Sequence, residues 1–373
     1  MSAGFRAFFH CEPLDLLHEG LDESLDRLKG EIGVDGISVT AIGGPLHLLR
    51  ARGGSGPRTF RTAGGAWFQP AADAYADARL RPPVAEGIRS SNPIEKIAAV
   101  CRRRDLRLRL RVSVCDVEPA AQRWSFAACK DAFGDLSPAR LCPSNPDVRA
   151  YAESLVGDLA AHVAPDAVDL DEADFGVPAT FHSGRENPAD PGAWHASTYC
   201  FCESCRQSAR DAGLDIDRLQ AAARQPVAAA DAAACFAPLA DHRALAVRRL
   251  IDGARRRFDG ELGRRIADLN PHRGLRPGDF GEIVDLWIPS NASALAAPPQ
   301  VDPGALAATF VVSDSAVQTE GSAGLVRDML HAVRGGRRTL LVESFGGTSD
   351  ERLEWVRQAI RFARRDSGAS LPA

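Results

Sequence analysis

The amino-acid sequence predicts an α/β protein, a single (β/α)8 TIM barrel domain that occupies residues 1–373. Short apolar segments alternate along the chain with longer amphipathic segments, which is typical of parallel strands connected by helices. We count eight such apolar segments, the number of strands that closes a barrel of this class. Hydrophobic residues make up 45% of the chain and charged residues 25%, so a sizeable core can be buried.

The predicted strands and helices alternate along the whole chain. In chain order the strands span residues 5–10, 36–42, 106–115, 167–171, 265–270, 283–288, 308–313 and 338–343. Helices are predicted at residues 14–30, 92–104, 145–163, 203–212, 219–234, 322–334 and 350–364. The fifth strand lies near the end of a long basic amphipathic segment, residues 242–269, which is otherwise predicted to be helical. Ser144 or Asn145 is expected to cap the helix that has Pro146 in its first turn.

Three predicted connections are long: about residues 43–91, 116–141 and 172–199. Long loops in a compact domain commonly cover or line a site. In a parallel barrel the reacting groups gather at the carboxyl-terminal ends of the strands. We therefore expect the functional site at that rim.

Charge and hydropathy exclude several classes of partner. A net charge of −4 provides no basic surface for nucleic acid. No apolar run approaches the roughly 20 residues that span a bilayer, so no membrane partner is expected. The first residues lack the charged, apolar and cleavage regions of a signal peptide, which predicts a cytoplasmic protein with reduced thiols. The sequence leaves open whether the chain is a monomer or a homo-oligomer.

Four of the nine cysteines form a pattern typical of a metal site. Cys200, Cys202 and Cys205 have C-x-C-x-x-C spacing, and Cys142 stands at the start of an earlier helix. Four thiolates are the ligand set of a closed tetrahedral zinc site, which leaves no open position for catalysis. We therefore predict a structural Zn²⁺ that holds the two loops flanking the fourth strand. Most of the other cysteines are expected to be small buried apolar residues.

Acidic residues are concentrated at the ends of the predicted strands. Along the fourth strand the side chains alternate in direction, so Asp169 and Asp171 share one face. If the apolar residues beside them pack against the helices, both aspartates face the barrel axis and Glu172 stands at the tip. A carboxyl that is buried near a like charge has a raised pKa, which keeps a protonated acid available near neutral pH.

Further candidate residues lie at or near other strand ends and in the loops. They are His10, Glu12, Asp285, Trp287, Asp314 and Glu343, together with His182 in the loop after the fourth strand. Cleavage of a glycosidic bond uses two carboxyl groups, one to protonate the leaving oxygen and one to act on the sugar carbon or on water. Trp67 in the first long loop is suited either to stacking on a sugar face or to packing.

Three segments of the chain resemble the middle of family 42 glycoside hydrolases, which are barrels of the β-galactosidase type. They are residues 141–149 (LCPSNPDVR), 168–172 (VDLDE) and 199–205 (YCFCESC). The resemblance implies that the general acid is Glu172, with Asp171 in the place of the family's usual Asn. It also implies a structural zinc bound by Cys142, Cys200, Cys202 and Cys205.

The pattern is more similar still to uncharacterised bacterial barrel proteins that are classed as glycoside-hydrolase-like and share a stretch like residues 132–135 (AFGD). That alignment makes Asp171 the principal carboxylate. Retaining family 42 enzymes place a nucleophilic Glu on strand seven, where this chain offers only Asp314, and Glu343 on strand eight is the other candidate. An inverting route, a substrate-assisted route and a loss of hydrolysis all remain open.

The resemblance and the strand-end acids together predict a barrel that cleaves a glycoside or a sugar-like small molecule. Asp171 or Glu172 would donate the proton, and Asp314 or Glu343 would act as nucleophile or base. The expected substrate contacts are Asp169, His10, Glu12, Asp285, Trp287 and His182. Two alternatives are an isomerase, lyase or tailoring enzyme on the same scaffold, and a non-catalytic carbohydrate-binding barrel.

Overall fold

The computed structural model describes residues 4–53, 57–86, 88, 91–176, 199–225, 229–266, 273–275, 280–290, 301–314 and 321–368. Within them, eight parallel strands form a nearly closed ring, which confirms the predicted (β/α)8 class. We number these strands β1 (Arg6–Cys11), β2 (Gly36–Gly43), β3 (Arg107–Ser113), β4 (Ala167–Asp171), β5 (Glu261–Ile266), β6 (Leu286–Pro289), β7 (Ala308–Val311) and β8 (Thr339–Glu343).

The order of the strands places their carboxyl-terminal ends on one rim. Hydrogen-bonded neighbours follow the order β6-β5-β4-β3-β2-β1-β8-β7. The two ends of this order meet through a parallel bridge between Trp287 and Leu306, where the Ala307 N–H donates to the Trp287 carbonyl oxygen at 2.8 Å. This contact brings the chain directly before β7 alongside β6 and nearly closes the ring.

Helices follow most of the strands and pack against their outward faces. The Asn145 side chain accepts a hydrogen bond from the Asp147 N–H at 2.8 Å and is therefore the cap of the helix that begins at Pro146. The helices are α1 (Pro13–Glu19), α2 (Leu21–Asp26), α3 (Pro93–Arg103), α4 (Glu118–Arg123), α5 (Pro146–His162), α6 (Glu203–Asp211), α7 (Ile216–Ala223), α8 (Ala229–Arg255), α9 (Gly321–Arg334) and α10 (Asp350–Ser367).

Some predicted bounds are wrong. The predicted helix at residues 14–30 is divided at Gly20, whose φ of +93° takes the chain out of the helical conformation. The predicted helix at residues 219–234 is shared between α7 and α8. The fifth strand was placed too late, since α8 ends at Arg255 and β5 begins at Glu261.

Two of the three predicted long loops contain β-hairpins. In the first loop Leu46–Leu49 pairs antiparallel with Thr59–Thr62, and in the second Ala128–Lys130 pairs antiparallel with Leu136–Leu141. Most of the third loop, residues 177–198, lies outside the described residues, and His182 lies there with it.

Side chains of the barrel strands divide into an outer and an inner set. Outward residues such as Phe9, Leu110 and Leu170 belong to the main hydrophobic core between the strands and the helices. Inward residues alternate with them along each strand. The apolar ones form a separate cluster inside the ring, made of Phe8, Leu286, Ile288, Ala307 and Leu341. Because Leu170 faces outward, its neighbours Asp169 and Asp171 face the axis.

Asp169 lies in a buried inner layer below the rim. Its oxygens accept hydrogen bonds from Arg109 Nε at 3.0 Å and Nη2 at 2.5 Å, and neither side chain is more than 2% exposed. Arg109 also pairs with Glu261 at 2.5 Å and lies 5.3 Å from the centre of the Phe8 ring. A Cβ on Gly263 of β5 would lie only 2.1 Å from Asp169 Oδ1. Protein atoms thus fill this layer. Asp169 was expected to contact the substrate, but in the structure it forms a buried ion pair with Arg109 instead.

We expect Asp169→Asn to lower the free energy of unfolding by about 3–5 kcal/mol, because it leaves the buried Arg109 charge without its main partner. Urea unfolding of the two proteins measures the difference. Asp366→Asn is the matched control, since it removes an exposed ion pair with Arg334 and should cost less than about 1 kcal/mol. Equal effects of the two substitutions would contradict a structural role for the inner pair.

Candidate active site and metal centre

An acidic cleft opens at the carboxyl-terminal ends of β1 to β4. Its volume is about 230 Å³. Four carboxyl groups and one guanidinium contribute to its wall, so the site is polar and rich in ionisable groups. Its lining residues are Glu12, Thr40, Ile42, Gly43, Gly44, Pro45, Leu46, Thr62, Trp67, Arg111, Ser113, Asp116, Asp171 and Glu172. We call this site the acidic cleft.

Asp171 ends β4 and is held as a carboxylate by arginines. Arg111 Nε donates to Oδ2 at 2.6 Å, and Arg265 Nε lies 3.9 Å from the same oxygen. The other oxygen, Oδ1, accepts the Glu172 N–H at 3.1 Å. Burial raises the pKa of Asp171, but the charges of Arg111, Arg265 and Arg264 outweigh it and hold the pKa well below its usual range. Asp171 is therefore ionised at neutral pH.

Glu172 is the next residue and has the opposite tendency. Its φ of +47° is unusual for a residue with a side chain and turns the carboxyl into the cleft at the tip of β4. Oε2 contacts Arg140 at 2.8 Å and Arg273 at 3.2 Å. Burial raises the pKa of Glu172, and the charges of Asp174 and Asp171 add to this effect, so that the two arginines do not reverse it. Glu172 is thus the more readily protonated member of the pair.

Asp116 shares an arginine with Glu172. Arg140 Nη2 lies 3.5 Å from Asp116 Oδ2, while its Nη1 contacts Glu172. Burial raises the pKa of Asp116 despite the Arg140 charge. The cleft therefore has two carboxyl groups with raised pKa values on the side of β3 and β4.

Glu12 follows β1 and faces the cleft from the other side. Thr40 Oγ1 donates to its Oε1 at 3.0 Å, and His10 Nε2 lies 3.2 Å from the same oxygen. His10 is held in turn by Ser38 Oγ, 3.3 Å from Nδ1. Burial raises the pKa of Glu12, but His10 and Arg111 outweigh it, so the pKa lies below its ordinary value. Oε2 is buried and has no hydrogen-bond partner in the described part of the chain.

Glu343 ends β8 and is paired with Arg265, whose Nη2 donates to Oε1 at 2.8 Å. Burial raises the pKa of Glu343, but the charges of Arg265, His10 and Arg111 have the larger, opposite effect. The net result is a pKa lowered to about 2. Its carboxylate helps to fix Arg265 beside Asp171. Glu343 is not among the residues that line the acidic cleft.

Asp314, the other candidate nucleophile, lies beyond the end of β7. Arg352 Nε contacts its Oδ1 at 2.9 Å, and Ser349 Oγ donates to the same oxygen at 3.0 Å. Ser349 is the N-cap residue of α10, and Arg352 lies in the first turn of that helix. Asp314 is therefore turned toward that helix and does not line the acidic cleft.

Two expected substrate contacts lie elsewhere in the barrel. Asp285 precedes β6, so it lies at the amino-terminal end, where it accepts the Leu262 N–H at 2.8 Å and pairs with Arg255 at 2.9 Å. Trp287 is buried on the outer face of β6 and packs edge-to-face against Phe280, with ring centroids 6.0 Å apart. Their expected position at the rim is corrected accordingly.

Sequence reasoning missed the arginines that hold these acids: Arg109, Arg111, Arg140, Arg265 and Arg273. A signal for two of them was present. Arg109 and Arg111 alternate along β3 with the same period of two as Asp169 and Asp171 along β4. Neighbouring strands with matched alternation of opposite charges predict cross-strand ion pairs.

Four cysteines form a compact buried cluster beside β4. The Sγ atoms of Cys142, Cys200, Cys202 and Cys205 all lie within 4.8 Å of one another. Cys142 is 3.4 Å from Cys205 and 3.8 Å from Cys200. Four sulfurs around a tetrahedral ion at the usual zinc–sulfur distance are separated by about 3.8 Å. The cluster fits a metal ion in its ligand type, number and spacing.

The elements around the cysteines bring the cluster together. Cys142 follows the hairpin strand Leu136–Leu141, and the other three lie at the start of α6. The Lys130 N–H donates to Cys200 Sγ at 3.3 Å, and the Phe201 N–H donates to the Lys130 carbonyl oxygen at 2.6 Å. The cluster therefore joins the segment before β4 to the segment after it.

Comparison with known proteins identifies the fold. No family model and no curated protein matches the sequence. Solved structures do match: α-L-fucosidase isoenzyme 2 from Paenibacillus thiaminolyticus has a TM-score of 0.58 and 12% identity over 98% of this chain and 50% of that one. The PgaB (BpsB) glycoside hydrolase domain from Bordetella bronchiseptica has a TM-score of 0.56 and 16% identity, with both chains fully covered.

A third match is the β-galactosidase from the psychrophilic Marinomonas ef1, with a TM-score of 0.57 and 9% identity over 98% of this chain and 61% of that one. This chain spans about half the length of the fucosidase. At these identities the likeness concerns the fold alone, which is a (β/α)8 barrel. None of the helices in the described ranges combines the length and apolar character that crossing a bilayer requires.

Proposed function

We propose that this protein is a glycoside hydrolase in which Glu172 donates a proton to the leaving oxygen. The observation that carries the proposal is a pair of adjacent carboxyl groups in one cleft whose pKa values are shifted in opposite directions, upward for Glu172 and downward for Asp171. Glycosidic cleavage needs one protonated and one ionised carboxyl group at the same bond.

Each carboxyl group has a distinct part in the proposed reaction. Glu172, at the tip of β4, protonates the glycosidic oxygen as the bond to the anomeric carbon breaks. Asp171 remains ionised and stabilises the positive charge that develops on the sugar ring in the transition state. Glu343 acts through Arg265, which it orients toward Asp171. Trp67 contributes an apolar part of the cleft wall, while most of its ring packs in the main hydrophobic core.

Independent features support this assignment. Glu172 occupies the position that the resemblance to family 42 glycoside hydrolases implies for the general acid. The solved structures that share the fold bear the names of a fucosidase, a glycoside hydrolase domain and a β-galactosidase.

We further propose that the cysteine cluster binds Zn²⁺ in a structural role. Four thiolates complete a tetrahedral shell and leave no position for substrate or water. The ligands flank β4 on both sides along the chain, so a bound ion fixes the segments on either side of Asp171 and Glu172. Its proposed contribution is the position of the strand tip, with no part in the chemistry.

The function is tested by incubating the wild-type protein with a panel of p-nitrophenyl glycosides and oligosaccharides in water labelled with ¹⁸O. We expect release of a sugar that carries one ¹⁸O atom at the anomeric carbon, since hydrolysis takes that oxygen from water. An isomerase or a lyase would give a product without the label. Mass spectrometry of the product distinguishes the two, and conversion without label would contradict the proposal.

A non-catalytic sugar-binding protein is the second candidate, because Asp171 and Glu343 are both engaged by arginines. Such a protein would bind an oligosaccharide in calorimetry and leave it intact after long incubation. Glu172→Gln would then leave the dissociation constant unchanged.

A further inference from the structure

We propose that Glu12 is the catalytic base that activates water in the acidic cleft, opposite the proton donor Glu172. This inference rests on the proposed function and supplies the partner that the sequence lacks on strand seven. Asp314 is excluded from that role because Arg352 and Ser349 hold it against α10.

Glu12 differs from Asp171, the other ionised acid that lines the cleft, because one of its oxygens has no hydrogen-bond partner among the described residues. Oε1 is fixed by Thr40 and His10, which orients the carboxyl group. Oε2 has no hydrogen-bond partner among the residues that the structure describes. By contrast, Asp171 accepts from Arg111 through one oxygen and from a backbone N–H through the other. A base needs an oriented carboxylate with an oxygen that is not already engaged, and the buried Oε2 of Glu12 has no hydrogen-bond partner among the described residues.

The position of Glu12 suits a water between base and sugar. β1 and β4 are separated in the barrel by β2 and β3, and neighbouring strands lie about 4.8 Å apart. Glu12 and Glu172 therefore enter the cleft from different sides, with its volume of about 230 Å³ between their strands. An inverting glycosidase needs such separation because a water must fit between the sugar and the base.

The proposed step is a single displacement. The water oxygen bonds to the anomeric carbon while its proton passes to Glu12. The bond from that carbon to the leaving oxygen breaks, and its electron pair stays on the oxygen, which takes the proton of Glu172. The products are a sugar of inverted anomeric configuration and the free alcohol. Exchange with solvent then deprotonates Glu12 and reprotonates Glu172.

The charge state of the two groups agrees with these parts. The pKa of Glu12 lies below its ordinary value and that of Glu172 above it, so at neutral pH the base is ionised while the acid is the more readily protonated. His10 supports Glu12 as a positioning residue, since its ring contacts both Ser38 and the Glu12 carboxylate.

The first measurement is the anomeric configuration of the sugar that the wild-type protein releases from a p-nitrophenyl glycoside, followed by proton NMR during the first minutes. We expect inversion. Retention would overturn Glu12 as a base without reference to any variant. Failure of the wild type to hydrolyse any glycoside in the panel would overturn the proposed function, and this inference with it.

The second measurement uses Glu12→Gln and Glu12→Ala. We expect kcat to fall by about 10²–10⁴ with little change in KM, and azide to restore turnover of the alanine variant on a 2,4-dinitrophenyl glycoside with formation of a glycosyl azide. Azide rescue would not follow from a merely structural role. Glu118→Gln, at the start of α4 and outside the cleft lining, is the control and should keep full activity. If Glu12→Gln stays active while Glu172→Gln does not, Glu12 is not the base and the proposed function still stands.

Discussion

Glu172→Gln is expected to lower kcat/KM for glycosides with poor leaving groups by about 10²–10⁴. The amide keeps the size of the side chain and its place between Arg140 and Arg273 but has no acidic proton to give. A 2,4-dinitrophenyl leaving group needs no protonation, so its release should fall far less. The comparison of p-nitrophenyl with 2,4-dinitrophenyl substrates therefore isolates proton donation from binding.

The pH profile provides a second reading of the same substitution. The acid must be protonated to act, and the pKa of Glu172 is raised. Wild-type kcat/KM should therefore be sustained above the ordinary Glu pKa and fall as pH rises through the raised value. Glu172→Gln should lose that basic limb. Glu351→Gln, an exposed acid in the first turn of α10, is the control with an unchanged profile. A variant that keeps the limb would show that another group donates the proton.

The barrel fold could be predicted from the sequence because the alternation of apolar and amphipathic segments is a local property of the chain. β4 was located to the residue, since an apolar strand and a following acidic tip are visible in the chain itself. β5 was misplaced because its two arginines break the apolar pattern. Arg264 and Arg265 are tolerated there because buried acids, Asp174 and Glu343, neutralise them across the fold. Such partners are distant in sequence and leave no local signal.

The acids of the site were predictable as a group but their depth was not. Alternation indicates which face a side chain takes and contains no information about its height in the barrel. Asp169 and Asp171 share the inner face of the barrel. Asp169 is buried in an ion pair with Arg109, whereas Asp171 lines the cleft. The predicted sixth strand began at residue 283, but β6 begins at Leu286. This shift moves Asp285 from the carboxyl-terminal to the amino-terminal end of the barrel. A sequence determines the bounds of a strand less well than its presence, so the rim on which such a residue lies is visible only in the folded chain.

The cysteine cluster was predictable because thiolate ligands at C-x-C-x-x-C spacing have little structural use apart from a metal. The structure adds what the ion would hold. A small second core made of residues such as Tyr199, Phe201 and Phe236 lies beside the cluster, with the Tyr199 and Phe236 rings stacked at 4.5 Å. This core and the barrel meet at the cysteines, so the stability of the segment after β4 is expected to depend on the ion.

Cys142→Ser is expected to abolish the proposed zinc binding and to lower the free energy of unfolding by several kcal/mol. Structural zinc sites bind with about 10–16 kcal/mol in peptides that fold around the ion. Here most of the main hydrophobic core is formed by residues other than the four cysteines, so only part of that energy should be lost. Metal analysis should find about one zinc per wild-type chain and none in the variant. Cys235→Ser, an exposed cysteine on α8, is the control and should keep both metal and stability.

The loss of stability in the Cys142→Ser protein should be confined first to the segment after β4 and reach the whole barrel only later. Hydrogen exchange of the Cys142→Ser protein should increase in residues 199–223, where α6 and α7 join the second core, and much less in β1, β2 and β8. Activity should fall with it, because Glu172 lies at the tip of the strand between the two ligand segments and its arginine partner Arg140 immediately precedes Leu141 and Cys142. A variant that retains stoichiometric zinc, or that loosens the barrel strands and the second core equally, would contradict a structural ion that braces the rim around β4.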